Sequence, residues 1–266
     1  MKPIYLLLFI ILFSCSPGKI KDYEKDYTQQ LVGKIKSITI NKYEYKFLKK
    51  DTFFLAKTTI QKFDIYTNLI NETIKTEIDQ NDYYYKYEND LLIEKKIISE
   101  NSISFTTYKY DTKHNQIEEK SFDDKRVFSV KTQKFDSYNN PIETKISFFG
   151  KEKVSTKIEY NYKKQFLTSK TVVDTFSKTL DKIKYFNKKG YIVKEPLNNF
   201  ATQNYNTYYI DKKGNLTKKT FHKSDKSIIE TVTYKNTYDK MGNIITRDRF
   251  LNGKLIEKNN YEITYY

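Results

Sequence analysis

Between residues 63 and 244 the chain repeats one short phrase: an aromatic or aliphatic residue, Asp or another polar residue, two variable positions, then Gly or Asn and an apolar residue. The anchors, taken at the residue before the polar position, are Phe63, Tyr87, Tyr110, Phe135, Tyr162, Phe186, Ile210 and Tyr238; by subtraction they lie 24, 23, 25, 27, 24, 24 and 28 residues apart. A near-constant period over eight units requires one structural unit used many times, each burying its apolar face against the next.

The residue types fit a turn. Asp at the entrance bonds backbone amides further along, and Gly or Asn accepts the positive φ that other residues resist. Asp111, Asp136, Asp211 and Asp239 open such turns; Gly214–Asn215 and Gly242–Asn243 complete the two fullest copies, "DKKGN" and "DKMGN". The copies "YENDLLI" and "YKKQFLT" are one residue short, which predicts tighter turns. A calcium loop would need several converging oxygens, and each loop offers about one carboxylate, often beside Lys. These residues are therefore assigned structural roles and no metal.

Strand chemistry fills the intervals. In "KVSTKIEYNY" Val154, Thr156, Ile158, Tyr160 and Tyr162 share one face, and Lys153, Ser155, Lys157, Glu159 and Asn161 the other. Twenty-five Tyr, 18 Phe and only 4 Pro favour strands over helices. A second turn divides each repeat. It is clearest in "LNGK", an Asn-Gly pair suited to a two-residue type I′ hairpin, with "FFGKEK" and "FDDKRV" at equivalent places. In "VVDTFSKTLDKI" the spacing of Val173, Phe176 and Leu180 also fits a helix, but the repeat register predicts strand, turn, strand. "EPLNNFATQN" reads as an irregular loop. The expected fold is all-β: stacked antiparallel hairpins of about two dozen residues, forming a curled single sheet or partly closed barrel over residues 34–266, because closure covers the apolar face when no long helix is available.

The "Y-D-x-x-G-N" phrase with this period resembles the YD repeat of Rhs-type proteins and short bacterial lipoproteins built from similar repeats. The resemblance implies a continuous spiralling β-sheet. Rhs-type shells often enclose a C-terminal toxin; here the last strand, "YEITYY", ends the sequence, and the delivery role is not carried over. The repeat's association with carbohydrate binding is a family expectation only.

The first 14 residues carry a charged Lys2 and an apolar run from Ile4 to Phe13, too short for a membrane span but suited to a secretory signal. The run ends "LFSC", which resembles a lipobox. The resemblance implies cleavage before Cys15, acylation of that residue and export to a bacterial membrane, assigned here to the outer membrane. Cys15 is the only Cys, so no disulfide is available. Residues 15–33 follow as a tether, with Tyr23, Tyr27 and Leu31 spaced for one or two helical turns.

No catalytic motif is present. His114 occupies the usual Gly position of a turn, and His222 is placed near a hairpin end facing solvent; neither has metal-ligand spacing. Glu118 and Glu119 are adjacent on a strand and must point to opposite faces. The expectation is a non-catalytic envelope binding or scaffold module without cofactor, the alternative an envelope enzyme acting on polysaccharide through unidentified carboxylates. The net charge of +15 comes almost wholly from Lys, with Arg only at 126, 247 and 249. Export and the shortage of forked guanidinium groups argue against nucleic acid. Lys157, with Lys212, Lys213, Lys218 and Lys219 around one turn, is expected to form columns attracting anionic glycan or lipopolysaccharide; an envelope protein is the other partner class.

Overall fold

Alternating side chains and a turn every dozen residues leave the backbone few choices, and the chain takes one in which each described strand has a neighbour on both sides. The computed structural model describes residues 31–46, 52–123, 126–163, 166–174, 180–187, 191–197, 204–212 and 214–266. Among them are eighteen strands and no helix. In chain order these are β1 (Ile35–Lys46), β2 (Thr52–Phe63), β3 (Leu69–Lys75), β4 (Gln80–Glu88), β5 (Leu91–Ser99) and β6 (Ser102–Tyr110). The middle third is β7 (Gln116–Asp123), β8 (Arg126–Phe135), β9 (Pro141–Phe148), β10 (Lys151–Lys163), β11 (Phe166–Asp174) and β12 (Leu180–Phe186). The last third is β13 (Ile192–Pro196), β14 (Tyr205–Ile210), β15 (Leu216–His222), β16 (Ile228–Tyr238), β17 (Ile244–Leu251) and β18 (Lys254–Tyr265).

Each strand pairs antiparallel with its neighbours in the chain, and β18 pairs with β1 along Ile38–Ile263, Ile40–Tyr261 and Glu44–Glu257. The single sheet thus closes on itself as an up-and-down barrel. It is thinnest at β13, which is held to β12 only through Tyr185–Lys194 and Phe186–Ile192. The stretch read as strand, turn, strand is β11 and β12; its residues 175–179 lie outside the described residues.

The odd-to-even hairpins turn at one rim and the even-to-odd hairpins at the other. All the Asp-containing repeat turns lie at the second, here the turn rim; the anchor residues end the even strands there. Ile35, Ile38, Phe63, Phe186, Tyr191, Leu216 and Ile244 are buried close to this rim, and Val232 is the one buried hydrophobic residue farther along a strand among those described. Ile35, Ile38 and Phe63 pack with Leu69, Tyr261 and Ile263 into one cluster, which fixes that face of the sheet as the inner one. The repeated phrase accounts for this belt. The anchor and the residue after the turn are cross-strand partners on the inner face, as in Phe63–Leu69, Ile210–Leu216 and Tyr238–Ile244.

Beyond the belt the inner face turns polar. Lys42 pairs with Glu44 at 2.6 Å and with Glu257 at 3.3 Å, and Glu257 also meets Arg249 at 3.5 Å. Eighteen strands about 4.8 Å apart give a perimeter of about 86 Å, more than one layer of side chains can fill. The inner residues accordingly remain half-exposed, and a polar lining is the stable choice for surface that keeps its water.

Candidate functional site

The assigned turn residues form a frame. In the full-length turns the Asp amide donates to the carbonyl of the fifth residue, and the fourth residue's amide donates back to the Asp carbonyl: Asp211–Asn215 at 2.9 Å and Gly214–Asp211 at 3.2 Å, Asp239–Asn243 at 2.9 Å and Gly242–Asp239 at 3.1 Å. This is a type I turn followed by a left-handed residue and a bulge. The fourth position has positive φ whatever its identity: Thr67 (70°), His114 (63°), Asn139 (63°), Gly214 (92°) and Gly242 (93°). One Asp carboxylate oxygen accepts two amides, from Lys113 and Asn115 at Asp111 and from Tyr138 and Asn140 at Asp136. The Asn115 side-chain amide and these backbone donors hold the Asp111 carboxyl below the usual carboxylate range. The carboxylates are thus occupied by their own turns and are not arranged as metal ligands. The short turn at Asn89–Asp90 has φ of 50° and 61°, the tighter type I′ form; Phe149–Gly150 and Asn252–Gly253 match it at the opposite rim.

Sequence reading missed the second half of the device, which joins neighbouring repeats. The Tyr238 hydroxyl reaches back to Asp211, and the Asn215 amide donates to it at 3.1 Å. Tyr265 treats Asp239 and Asn243 in the same way. Tyr87, Tyr110 and Tyr160 donate to the carbonyls of Leu69, Leu92 and Pro141, each the first or second residue of the strand after the preceding turn. A half-buried tyrosine at or near the end of an even strand is therefore a strap on the unit before it. At the closure Asn243 takes over the backbone of Val32, accepting its N–H at 2.7 Å and donating to its carbonyl at 2.8 Å. Leu31 packs on the core cluster beside it. Cys15, Tyr23 and Tyr27 lie outside the described residues.

The lysines divide by sector. On the outer face of β6–β9 they are neutralised: Lys109 and Lys120 meet Glu118 at 2.9 and 3.3 Å, Lys134 and Lys145 meet Glu143 at 2.7 and 3.7 Å. Glu119 faces inward to Lys131 at 3.6 Å, so the adjacent carboxylates do point apart. Such a charged outer face is the reverse of the apolar band that a membrane-crossing barrel presents to lipid. Among the described residues no helix is long and apolar enough to cross either.

On β12–β15 the pattern changes. Lys194 sits over the rings of Tyr205, at 4.1 Å, and Tyr185, at 6.0 Å; Lys218 sits 5.2 Å over Tyr209. Neither lysine has an ion-pair partner among the described residues. Tyr185 and Tyr209 are about half-exposed, and His222 stacks on Tyr205 at 4.7 Å while its Nε2 lies 3.0 Å from the Thr207 hydroxyl. His222 is therefore part of a stacked strip and not a free solvent-facing imidazole. Of the lysines expected to join columns, Lys218 and Lys219 lie on opposite faces of the sheet. Lys218 and Lys219 are consecutive on β15, and Lys219 turns inward over Tyr208 and Phe221, where burial lowers its pKa. Lys213 lies outside the described residues. Lys157 is exposed on the outer face as expected.

The inner face holds the other perturbed groups. Burial, then the charge of Glu119, raises Tyr108 to about 12, and burial with Glu72 raises Tyr85 further. Both phenols stay protonated donors at neutral pH. Glu195 is held by Lys184 at 3.0 Å and by the Tyr208 hydroxyl at 2.8 Å. A shallow depression of about 420 Å³ at the rim opposite the repeat turns is bordered by Glu77, Asp79, Asp82 and Glu100. Asp79 and Asp82 there accept from Asn81, Thr73 and Gln80, bonds that order the hairpin end itself.

No family model matches the chain, and no curated protein matches it. Solved structures do. A porin-like protein from Bacteroides uniformis is 12% identical over 88% of this chain and 98% of its own, with a TM-score of 0.46. The Tc holotoxin pore of Photorhabdus luminescens is 10% identical over 79% of this chain, with a TM-score of 0.28, and a TcdB2-TccC3 complex is 10% identical over 81%, with a TM-score of 0.30. The chain spans only 14% and 16% of those two toxin chains.

Proposed function

We propose that this chain is an exported, lipid-anchored envelope protein that binds acidic glycans without catalysis, through the outer strip of β12–β15. The supporting observation is the pairing of half-exposed tyrosine rings with Lys194 and Lys218, which lack carboxylate partners among the described residues while Lys109, Lys120, Lys134 and Lys145 of β6–β9 have them. Sugar rings stack their C–H faces on aromatic rings, and ammonium groups meet the carboxylate or phosphate of an acidic sugar. Anchoring at Cys15 is the lipobox expectation, and the tethered barrel presents its strip to polymer at the membrane surface.

The test is retention of the protein on immobilised polygalacturonate from low to high salt, beside a neutral dextran column and a Lys194→Gln/Lys218→Gln variant. The proposal expects retention on the acidic column alone, loss toward 1 M salt as the screening length falls to about 3 Å, and earlier elution of the variant. Absence of retention at low salt would reduce the lysines to solubilising residues. Binding indifferent to salt would point to a shaped site elsewhere, and release of reducing ends from the polymer would favour an enzyme.

A further inference from the structure

The repeat provides its own control for unusual residues, because each turn offers the same two central positions. They are Thr112–Lys113 and Ser137–Tyr138 in two turns and Lys212–Lys213 in a third. The two turns that flank the closure differ. The β2–β3 turn has Ile65–Tyr66, 54% and 73% exposed, and the β16–β17 turn has Lys240–Met241, with Met241 44% exposed. Between them the strands β18 and β1 end and begin, adding Tyr266 at 55% and Val32 at 45%.

The five apolar or aromatic side chains lie on adjacent turns and strand ends of one rim. Tyr266 donates its hydroxyl to the Phe63 carbonyl and its amide to the Lys34 carbonyl, Val32 is clasped by Asn243, and Met241 lies against Gly33. Nothing in the turn chemistry requires these residue types, since the Thr112–Lys113 turn has the same backbone bonds; of the other turns only Ser137–Tyr138 shares an aromatic at the second position. On the repeat-turn rim these exposed side chains lie where the chain leads back toward its N-terminus.

Only 15 residues separate Cys15 from Leu31. Even fully extended they reach about 50 Å, which keeps this rim within reach of whatever surface holds Cys15. Lys34, Lys36 and Lys240 are exposed around the patch, while the carboxylates of the two flanking turns, Asp64 and Asp239, are occupied by amides of their own turns. Aromatic and aliphatic side chains with a basic margin suit the headgroup region of an anionic bilayer.

We infer that the closure of the barrel is a membrane-docking face: Val32, Ile65, Tyr66, Met241 and Tyr266 insert into the headgroup layer of the bilayer that holds the lipidated Cys15. The repeat-turn rim then faces the membrane and the opposite rim faces away. This inference rests on the lipid-anchor reading.

The chain has no Trp, so a single introduced Trp reports its own surroundings. Mature lipidated protein is reconstituted into phosphatidylcholine–phosphatidylglycerol vesicles, with and without brominated acyl chains. Tyr66→Trp probes the patch, Lys113→Trp an equivalent turn position elsewhere on the same rim, and Phe149→Trp the opposite rim. The inference expects Tyr66→Trp to shift to the blue and lose most of its emission to brominated lipid. Phe149→Trp should be unaffected and Lys113→Trp weakly quenched at most. Vesicle flotation separates the two readings. Protein that does not float, or carries no lipid mass at Cys15, overturns the anchor and the docking with it. Protein that floats while Tyr66→Trp stays unquenched overturns docking alone, and so does equal quenching at all three sites. Quenching at Phe149→Trp only would assign the membrane to the opposite rim. Met241→Asp in the Tyr66→Trp background should abolish the quenching while flotation persists; undiminished quenching would overturn the patch.

Discussion

Replacing Asn243 with Ala should cost far more than its place in an exposed turn suggests. Its side chain is completely buried and makes three hydrogen bonds outside its own turn: from the Val32 amide at 2.7 Å, to the Val32 carbonyl at 2.8 Å and to the Tyr265 hydroxyl at 2.8 Å. Alanine removes the partner of the Val32 amide and carbonyl and leaves the Tyr265 hydroxyl with Asp239 alone. At about 1 kcal/mol each the loss is about 3 kcal/mol. For a domain of this size that corresponds to a fall of roughly 6–12 °C in the thermal midpoint. Asn68→Ala is the internal control. It occupies the same turn position, and its amide is bonded to Asp64 of its own turn at 3.1 Å, so about 1 kcal/mol is expected. Urea and thermal unfolding followed by far-ultraviolet circular dichroism, with tyrosine fluorescence as a second probe, measure both variants. Equal losses, or a loss at Asn243 below about 1 kcal/mol, would refute the argument that the ring closure depends on that side chain.

Gly242→Val should destabilise by about 1–3 kcal/mol through backbone strain alone, because φ is +93° and the new side chain meets open space. Gly214→Ala should cost more than Gly242→Ala, since a Cβ at Gly214 would lie 2.5 Å from the Tyr191 hydroxyl; a double-mutant cycle with Tyr191→Phe should recover part of the excess and none of the strain. The depressed carboxyls of Asp111, Glu118 and Glu143 contribute stability that is fully present above their unfolded pKa values near 4 and lost as pH falls through the lower folded values. Thermal midpoints should therefore be flat from pH 7 to 5 and fall below pH 4; a midpoint unchanged at pH 3 would contradict those shifts. Cys15→Ala should abolish lipid-dependent processing and membrane fractionation, read by mass and flotation; normal trimming of the variant would remove the lipobox reading.

The phrase that repeats every two dozen residues was enough, without coordinates, to place the anchors, the Asp turns, the second class of hairpin and the strand faces. Each is a local property: an Asp carboxylate reaches amides two and four residues on, a positive φ selects Gly, Asn or a tolerant substitute such as His114, and alternation sets the face of a strand. Contacts between units depend on the register of strands far apart in the chain, and that only the tertiary structure decided. It set Tyr238 on Asp211, Tyr265 on Asp239 and Asn243 on Val32, 211 residues away. It separated Lys218 from Lys219, adjacent letters on opposite faces of one strand, and brought Lys194, Tyr205, Tyr209 and Lys218 together from three. Whether the sheet stayed open or closed was also beyond the sequence, because the pairing of β18 with β1 follows from the twist and curl summed over eighteen strands, and no single repeat encodes that sum.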